Sequence, residues 1–244
     1  MSSYLGVVGI FVGAAKGISA LQAARYLNTQ YRTEFILLHK LRSAMADEKG
    51  AFILGGLDAV VEVDGYYTGG KLRKANWKQN RRDARLRRNQ NGKRRVVVVA
   101  RERIGRTITH VILSEADAVD WLVARLRVGT EVHADEAASW NELEGHFETR
   151  RIRHEDVFSD GVACTNQAES FFARVRRCER GQHHHIVGPY LHLYAAEMAW
   201  REDHRREDTA ALFTRLVRLV GMKPPSRDFC GYWQRTLRRP DRSE

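Results

Sequence analysis

The sequence predicts an α/β fold, a mixed sheet flanked by helices, with a small helical region at its N-terminus. Three observations lead to that expectation. Apolar runs with the two-residue period of strands, or continuous ones, occupy residues 59–64, 96–99 and 107–112. Next, Ala116, Val119, Leu122, Val123 and Leu126 take helical spacing, and a further strand-like run follows at 130–134. Helical stripes also precede residue 50 and follow residue 169.

Taken in order, residues 4–15 are apolar and Gly-rich, lack a basic stretch ahead of them, and fall short of the roughly 20 residues that span a bilayer. They read as a buried segment, with an atypical signal peptide as the alternative. Ser19-Ala20-Leu21-Gln22 has the form of a capping box and starts a short helix. Asn28-Thr29-Gln30 breaks the pattern, after which Phe35, Leu38, Leu41 and Met45 form a second stripe beside Lys40 and Arg42. Two short helices joined by a three-residue turn fit a helix-turn-helix whose second helix enters a major groove; the competing reading is a helical hairpin packed on the next domain.

The first strand ends in Asp64, and the valine run 96–99 implies a strand covered on both faces. The helical stripe through Leu126 stops before Gly129, a C-cap type of residue, and the fourth strand ends in Asp135. Three strands, a helix and a fourth strand is the order of an RNase H-like fold. Its first and fourth strands are neighbours, which would bring Asp64 and Asp135 together. Further helices are expected over 169–180, 190–201 and 209–220, ahead of Pro224-Pro225. The expected division is therefore an N-terminal helical region at 1–50, a catalytic domain at 51–220 with a basic insertion at 71–95, and a tail at 221–244.

At 244 residues and 43% hydrophobic content the chain can bury a real core. Its net charge of +11 is concentrated: residues 71–95 hold 12 Lys and Arg against one acid, Asp83, while the remainder balances at 29 of each sign. Such a segment has the electrostatics of an arm that tracks phosphates, and Lys71, Arg73, Lys74, Lys78, Arg81, Arg82, Arg85, Arg87 and Arg88 are its candidate DNA contacts. The bland alternative is a solvated surface loop. Cys164, Cys178 and Cys230 form no CxxC pair, which argues against a disulfide framework and a zinc ribbon and favours a reducing cytosol.

Three acids stand where they could hold a pair of metal ions. Asp64 and Asp135 end strands, and Glu169 lies in Thr165-Asn166-Gln167-Ala168-Glu169-Ser170-Phe171-Phe172 at the start of a helix. Two-metal phosphoryl transfer needs hard oxygen ligands on rigid elements, so the chain reads as a DNA-processing enzyme. The alternatives are that the aspartates only terminate strands, and that Asn166 and Glu169 form a capping pair. Arg176 is seven residues beyond Glu169, about two turns and some 10 Å along the same helix face, where its planar fork suits phosphate. His183, His184 and His185 are adjacent, a poor arrangement for converging on one ion, so packing or DNA contact is the expected role.

At these residues the sequence resembles the DDE transposases of the IS1595 family, the ISXO2-like group. The matching blocks are Val61-Glu62-Val63-Asp64-Gly65-Tyr66-Tyr67-Thr68-Gly69-Gly70-Lys71, then His133-Ala134-Asp135, then the run from Thr165 to Phe172, and a His-rich stretch leading to Tyr194 and Trp200-Arg201. The resemblance implies an RNase H-like core that binds the inverted-repeat ends of an insertion sequence and moves it by cleavage and strand transfer. It also implies two Mg²⁺ ions, or Mn²⁺, held by Asp64, Asp135 and Glu169, with Asn166 as a second candidate for the third position. The partners implied are terminal and target DNA and further copies of the chain, in the bacterial cytoplasm near the nucleoid and away from membranes. Departures are Gly65 where the family commonly has Glu, Cys164 in place of His, no Asn within 202–206, Arg176 in place of Lys, and no upstream zinc ribbon. The competing readings are a nuclease of the same fold and a non-catalytic DNA-binding remnant acting as a repressor or inhibitor.

Overall fold

Alternate valines of the run 96–99 point to opposite faces of a sheet, and both faces are covered. Val96 and Val98 join one apolar cluster, Val97 and Val99 another, and all four are fully buried. The computed structural model describes residues 2–69, 77–80, 92, 94–152, 165–184, 186 and 188–224. The elements are α1 (Ser2–Gly13), α2 (Ala20–Leu27), α3 (Tyr31–Gly50), β1 (Val60–Thr68), β2 (Arg95–Glu102), β3 (Thr107–Ile112), α4 (Val119–Arg125), β4 (Glu131–Asp135), β5 (Glu148–Ile152), α5 (Asn166–Cys178), α6 (Leu191–Asp203) and α7 (Thr209–Met222).

The five strands form one mixed sheet in the order β3-β2-β1-β4-β5. β1, β2 and β3 pair antiparallel, whereas β4 lies parallel to β1 and β5 parallel to β4. The first and fourth strands are thus neighbours, as the element order led us to expect. One face is closed by α4 and by Trp140 and Leu143, packed on Val61, Val63, Val132 and Ala134. The other face is closed by α5 and α6, through Phe171, Phe172, Val175, Leu191 and Met198. β5 was not anticipated, because Glu148-Thr149-Arg150-Arg151-Ile152 has the polar sequence of an edge strand and little apolar pattern. Only Ile152 of the strand is buried, while Arg150 pairs with Glu131 of β4 at 2.8 Å.

The N-terminal helices build a third cluster with α6 and α7, in which Val7, Phe11, Leu38, Leu41 and Met45 meet Trp200 and Leu216. The apolar segment at 4–15 therefore forms α1 as far as Gly13, with Val7, Val8, Phe11 and Val12 buried. Ser19 caps α2, its hydroxyl accepting from the Gln22 amide at 3.2 Å, and Asn28 ends the helix in the left-handed region at φ 50°. α3 has no exposed residue from 34 to 46, and the α2–α3 pair docks as a hairpin on α6 and α7. Between α3 and α6 lies a buried ion network: Glu197 accepts from Arg42 at 2.6 Å and from Arg201 at 2.9 Å. Burial works to push the Glu197 carboxyl up, but the two guanidinium groups and His183 hold it down at about 2. Among the described residues no helix is long and apolar enough to cross a membrane.

Candidate active site

β1 and β4 run side by side with Val63 opposite Ala134. The next residue on each strand, Asp64 and Asp135, therefore stands at the same level of the sheet and, by strand alternation, on the face opposite Val63 and Ala134. Asp135 ends β4 as expected, but Asp64 does not end β1, which goes on to Thr68 because β2 continues to pair with it beyond the last residue that pairs with β4. That is the face α5 covers, and Glu169 lies in the first turn of α5. Asp64 Oδ1 accepts from the Gly65 amide at 2.7 Å, and Asp135 Oδ1 accepts from the Ala137 amide at 3.2 Å.

The acids act on one another. Burial pushes the Asp64 carboxyl up to about 7, and the negative charges of Asp135, Glu115 and Glu169 add to the shift, opposed only by the Gly65 amide. Glu115 is an unexpected member of this group. It precedes α4, is buried, and accepts from Ser139 Oγ at 2.9 Å. Burial also raises its carboxyl, with Asp135 contributing. Its carboxylate fills the space beside Gly65, so that a Cβ at position 65 would collide with Glu115 Oε1. The family's commoner glutamate at 65 could not enter while Glu115 holds this position.

α5 is fastened to the sheet from its first turn. Its N-cap residue Thr165 makes no side-chain cap bond. Instead Glu62 Oε2, from β1, accepts from the amides of Gln167 at 2.8 Å and Ala168 at 3.1 Å. Glu62 is fully buried and has Arg103 Nε at 3.7 Å. Arg101 Nη1 donates to the Gln167 carbonyl at 3.0 Å and its Nη2 donates to Glu202 Oε1 at 2.7 Å. Glu202 also receives Arg174 from the side of α5 and Arg205 at 3.0 Å.

Arg176 is exposed on α5, its guanidinium 4.9 Å from the centre of the Tyr66 ring on β1, just past Asp64. Arg94 covers Tyr67 in the same way at 4.0 Å. Asn166 is the exposed first residue of α5. Of the basic insertion, Lys78 is exposed in a short turn beside an exposed Trp77; Lys71, Arg73, Lys74, Arg81, Arg82, Arg85, Arg87 and Arg88 lie outside the described residues, as do Cys164, His185 and the tail beyond residue 224. His183 packs edge-on against Tyr194 near Glu197, and burial lowers its pKa to about 4.

Among the described residues no three His, Cys, Asp or Glu side chains are already drawn together around a metal-sized space. The donor set nonetheless fits a hard divalent cation. Only carboxylate oxygens are offered, from two adjacent strands and the helix above them, and their mutual repulsion is the field a cation would relieve. Pattern reading missed two members of this region. Glu62 had a signal, since it is two residues before Asp64 and so shares its face within an otherwise apolar strand. Glu115 had none, because only the folded chain brings it over Gly65.

The sequence model of the ISXO2-like transposase domain matches residues 53–203. That span runs from just before β1 to the end of α6 and holds all three acids. No curated protein matches the chain.

Proposed function

The chain belongs to the ISXO2-like transposase domain family, and from that premise we propose that it is a DDE transposase with an RNase H-like core, cutting and joining the ends of an insertion sequence. The observation that supports this most directly is the pairing of β1 with β4, which gives Asp64 and Asp135 a common face and a common level along the strands, under α5. Asp64, Asp135 and Glu169 would hold two Mg²⁺ ions, for which Mn²⁺ can stand in. Bound there, divalent ions supply Lewis acidity for an in-line displacement at phosphorus.

The chain's own residues do the rest. The three carboxylates fix the reacting phosphodiester through what they bind, and Arg176, held over Tyr66, offers its fork to a neighbouring phosphate. In cleavage, water oxygen attacks phosphorus and the bond to the 3′-oxygen breaks, leaving a 3′-hydroxyl. In joining, that hydroxyl attacks a target phosphodiester and displaces the target's own 3′-oxygen. No covalent link to the protein forms in either step. The basic insertion 71–95 follows the DNA backbone, and two copies of the chain bridge the two ends.

The test is an assay of terminal DNA duplexes with Mg²⁺, comparing the chain with Asp64→Asn. The unaltered chain nicks and joins the ends. The variant loses several kcal/mol of transition-state stabilisation, about a thousandfold in rate or more. Undiminished cleavage by Asp64→Asn would end this reading; end binding without cleavage by the unaltered chain would favour a non-catalytic DNA-binding protein.

A further inference from the structure

We infer that Glu62 is the positioning residue of the site: its carboxylate, two residues before Asp64 on β1, holds the N-terminus of α5 and thereby sets where Glu169 stands. The inference rests on the catalytic reading of Asp64, Asp135 and Glu169.

A carboxylate with no exposed surface is costly inside a sheet unless it is paired and hydrogen-bonded. Glu62 has both kinds of partner, the two α5 amides and the Arg103 guanidinium. The first amides of a helix have no intrahelical acceptors and normally turn to the side chain of their own N-cap residue. Thr165 does not provide one. The role passes to a strand, and to the strand that also carries Asp64. A negative charge at this end is further favoured by the helix dipole.

The consequence is mechanical. Ala168, whose amide Glu62 holds, is adjacent in sequence to Glu169, so movement of the helix start passes directly to Glu169. The salt bridges of Glu202 restrain the side of α5 through Arg174, and Arg101 grips the Gln167 carbonyl. Glu62 alone among these joins the α5 amides to the strand of the first acid. One β-strand thus carries one catalytic carboxylate and registers another, although the two lie on elements distant in sequence.

The experiment is a double-mutant cycle on the full chain, using Glu62→Ala, Glu62→Gln, Glu169→Gln and their combinations. The readouts are amide hydrogen exchange without metal, Mn²⁺ titration, and end cleavage. Glu62→Ala is expected to speed exchange at Gln167 and Ala168 about tenfold, the scale of one hydrogen bond, with the β1–β4 amides unchanged. It should weaken Mn²⁺ binding about tenfold and lower kcat about a hundredfold while KM for DNA stays put, as for a misplaced ligand. In Glu169→Gln these further losses of binding and rate should vanish, because nothing remains to position. Glu62→Gln retains one acceptor oxygen but loses the charge that faces Arg103 and the α5 amides, so it should show losses in the same direction, about threefold in exchange and in rate, that also vanish in Glu169→Gln; where the alanine variant does not fold, it carries the cycle. Unchanged exchange at Gln167 and Ala168, or a rate loss that adds in full to that of Glu169→Gln, would overturn the positioning role alone. Normal cleavage by Glu169→Gln would overturn the catalytic reading itself.

Discussion

Asp64 and Asp135 lie on neighbouring parallel strands one step beyond the facing pair Val63 and Ala134, and the charge of Asp135 makes Asp64 harder to ionise. Burial is the larger cause, and together they lift the Asp64 carboxyl from an ordinary 3.8 to about 7. Between those pH values the folded chain binds more protons than the unfolded one, so stability falls as pH rises from about 4 to about 7. At about 1.4 kcal/mol per unit the loss is at most about 4 kcal/mol. Urea denaturation in EDTA at several pH values, with the Asp64→Asn variant subtracted, should show this decline. Millimolar Mg²⁺ should remove it, because a bound cation favours the ionised carboxylates. A metal-free protein as stable relative to Asp64→Asn at pH 8 as at pH 4.5 would contradict the account.

Gly65 and Glu115 form a matched pair. A Cβ at 65 would run into the Glu115 carboxylate, which is itself fixed by Ser139. Gly65→Ala should therefore destabilise the protein by about 1–3 kcal/mol, the usual cost of overfilling a packed place. Glu115→Ala should remove most of that penalty, giving a coupling of about 0.5–3 kcal/mol in a denaturation cycle. Strict additivity of the two substitutions would show that the close approach is not felt.

The parts of this molecule that could be read from sequence are those whose cause is local. Val96 to Val99 announced burial on both faces, and the order of strand and helix patterns was enough to place β1 beside β4. Ser19 and Gly129 marked element ends by their own conformational preferences, Gly129 turning the chain at φ 84°. What stayed hidden depends on partners supplied by the fold. β5 is held by its neighbours at a solvated edge rather than by an apolar pattern. α1 contains three glycines, which weaken a helix by propensity, and is stabilised by burial of Phe11 and its neighbours. Glu62 acts on amides more than a hundred positions away, and Glu115 reaches the site only through the packing of the turn before α4.

Glu197 should be the least replaceable residue between the N-terminal helices and the sheet. Its carboxylate is buried with Arg42 and Arg201, and removing it strands two guanidinium groups in an apolar layer that includes Phe11 and Trp200. Breaking such a network from one side costs about 3–5 kcal/mol. Glu197→Ala should lower the unfolding free energy by about that amount, and Glu197→Gln by less, since it keeps an acceptor. Its carboxyl is held at about 2 against an ordinary 4.5, so its contribution is present above about 4.5 and is lost as pH falls toward 2. A denaturation midpoint unchanged in Glu197→Ala would show that the helices dock without it.

DNA binding should depend on salt mainly through the insertion 71–95, because the basic excess of the whole chain resides there. Each phosphate neutralised contributes about 0.9 to the slope of log affinity against log salt. Replacing Arg81, Arg82, Arg85, Arg87 and Arg88 with Ser should flatten that slope by about 4.5 if each arginine meets one phosphate. Fluorescence anisotropy with a terminal duplex across about 50–200 mM salt measures it directly. Arg176→Ala serves as the contrast, since a single cation over Tyr66 can change the slope by no more than about 1. A slope unaltered by the five substitutions would remove the arginines at 81–88 from the interface and leave those beside β1, Arg94 and Arg176, as the contacts to pursue.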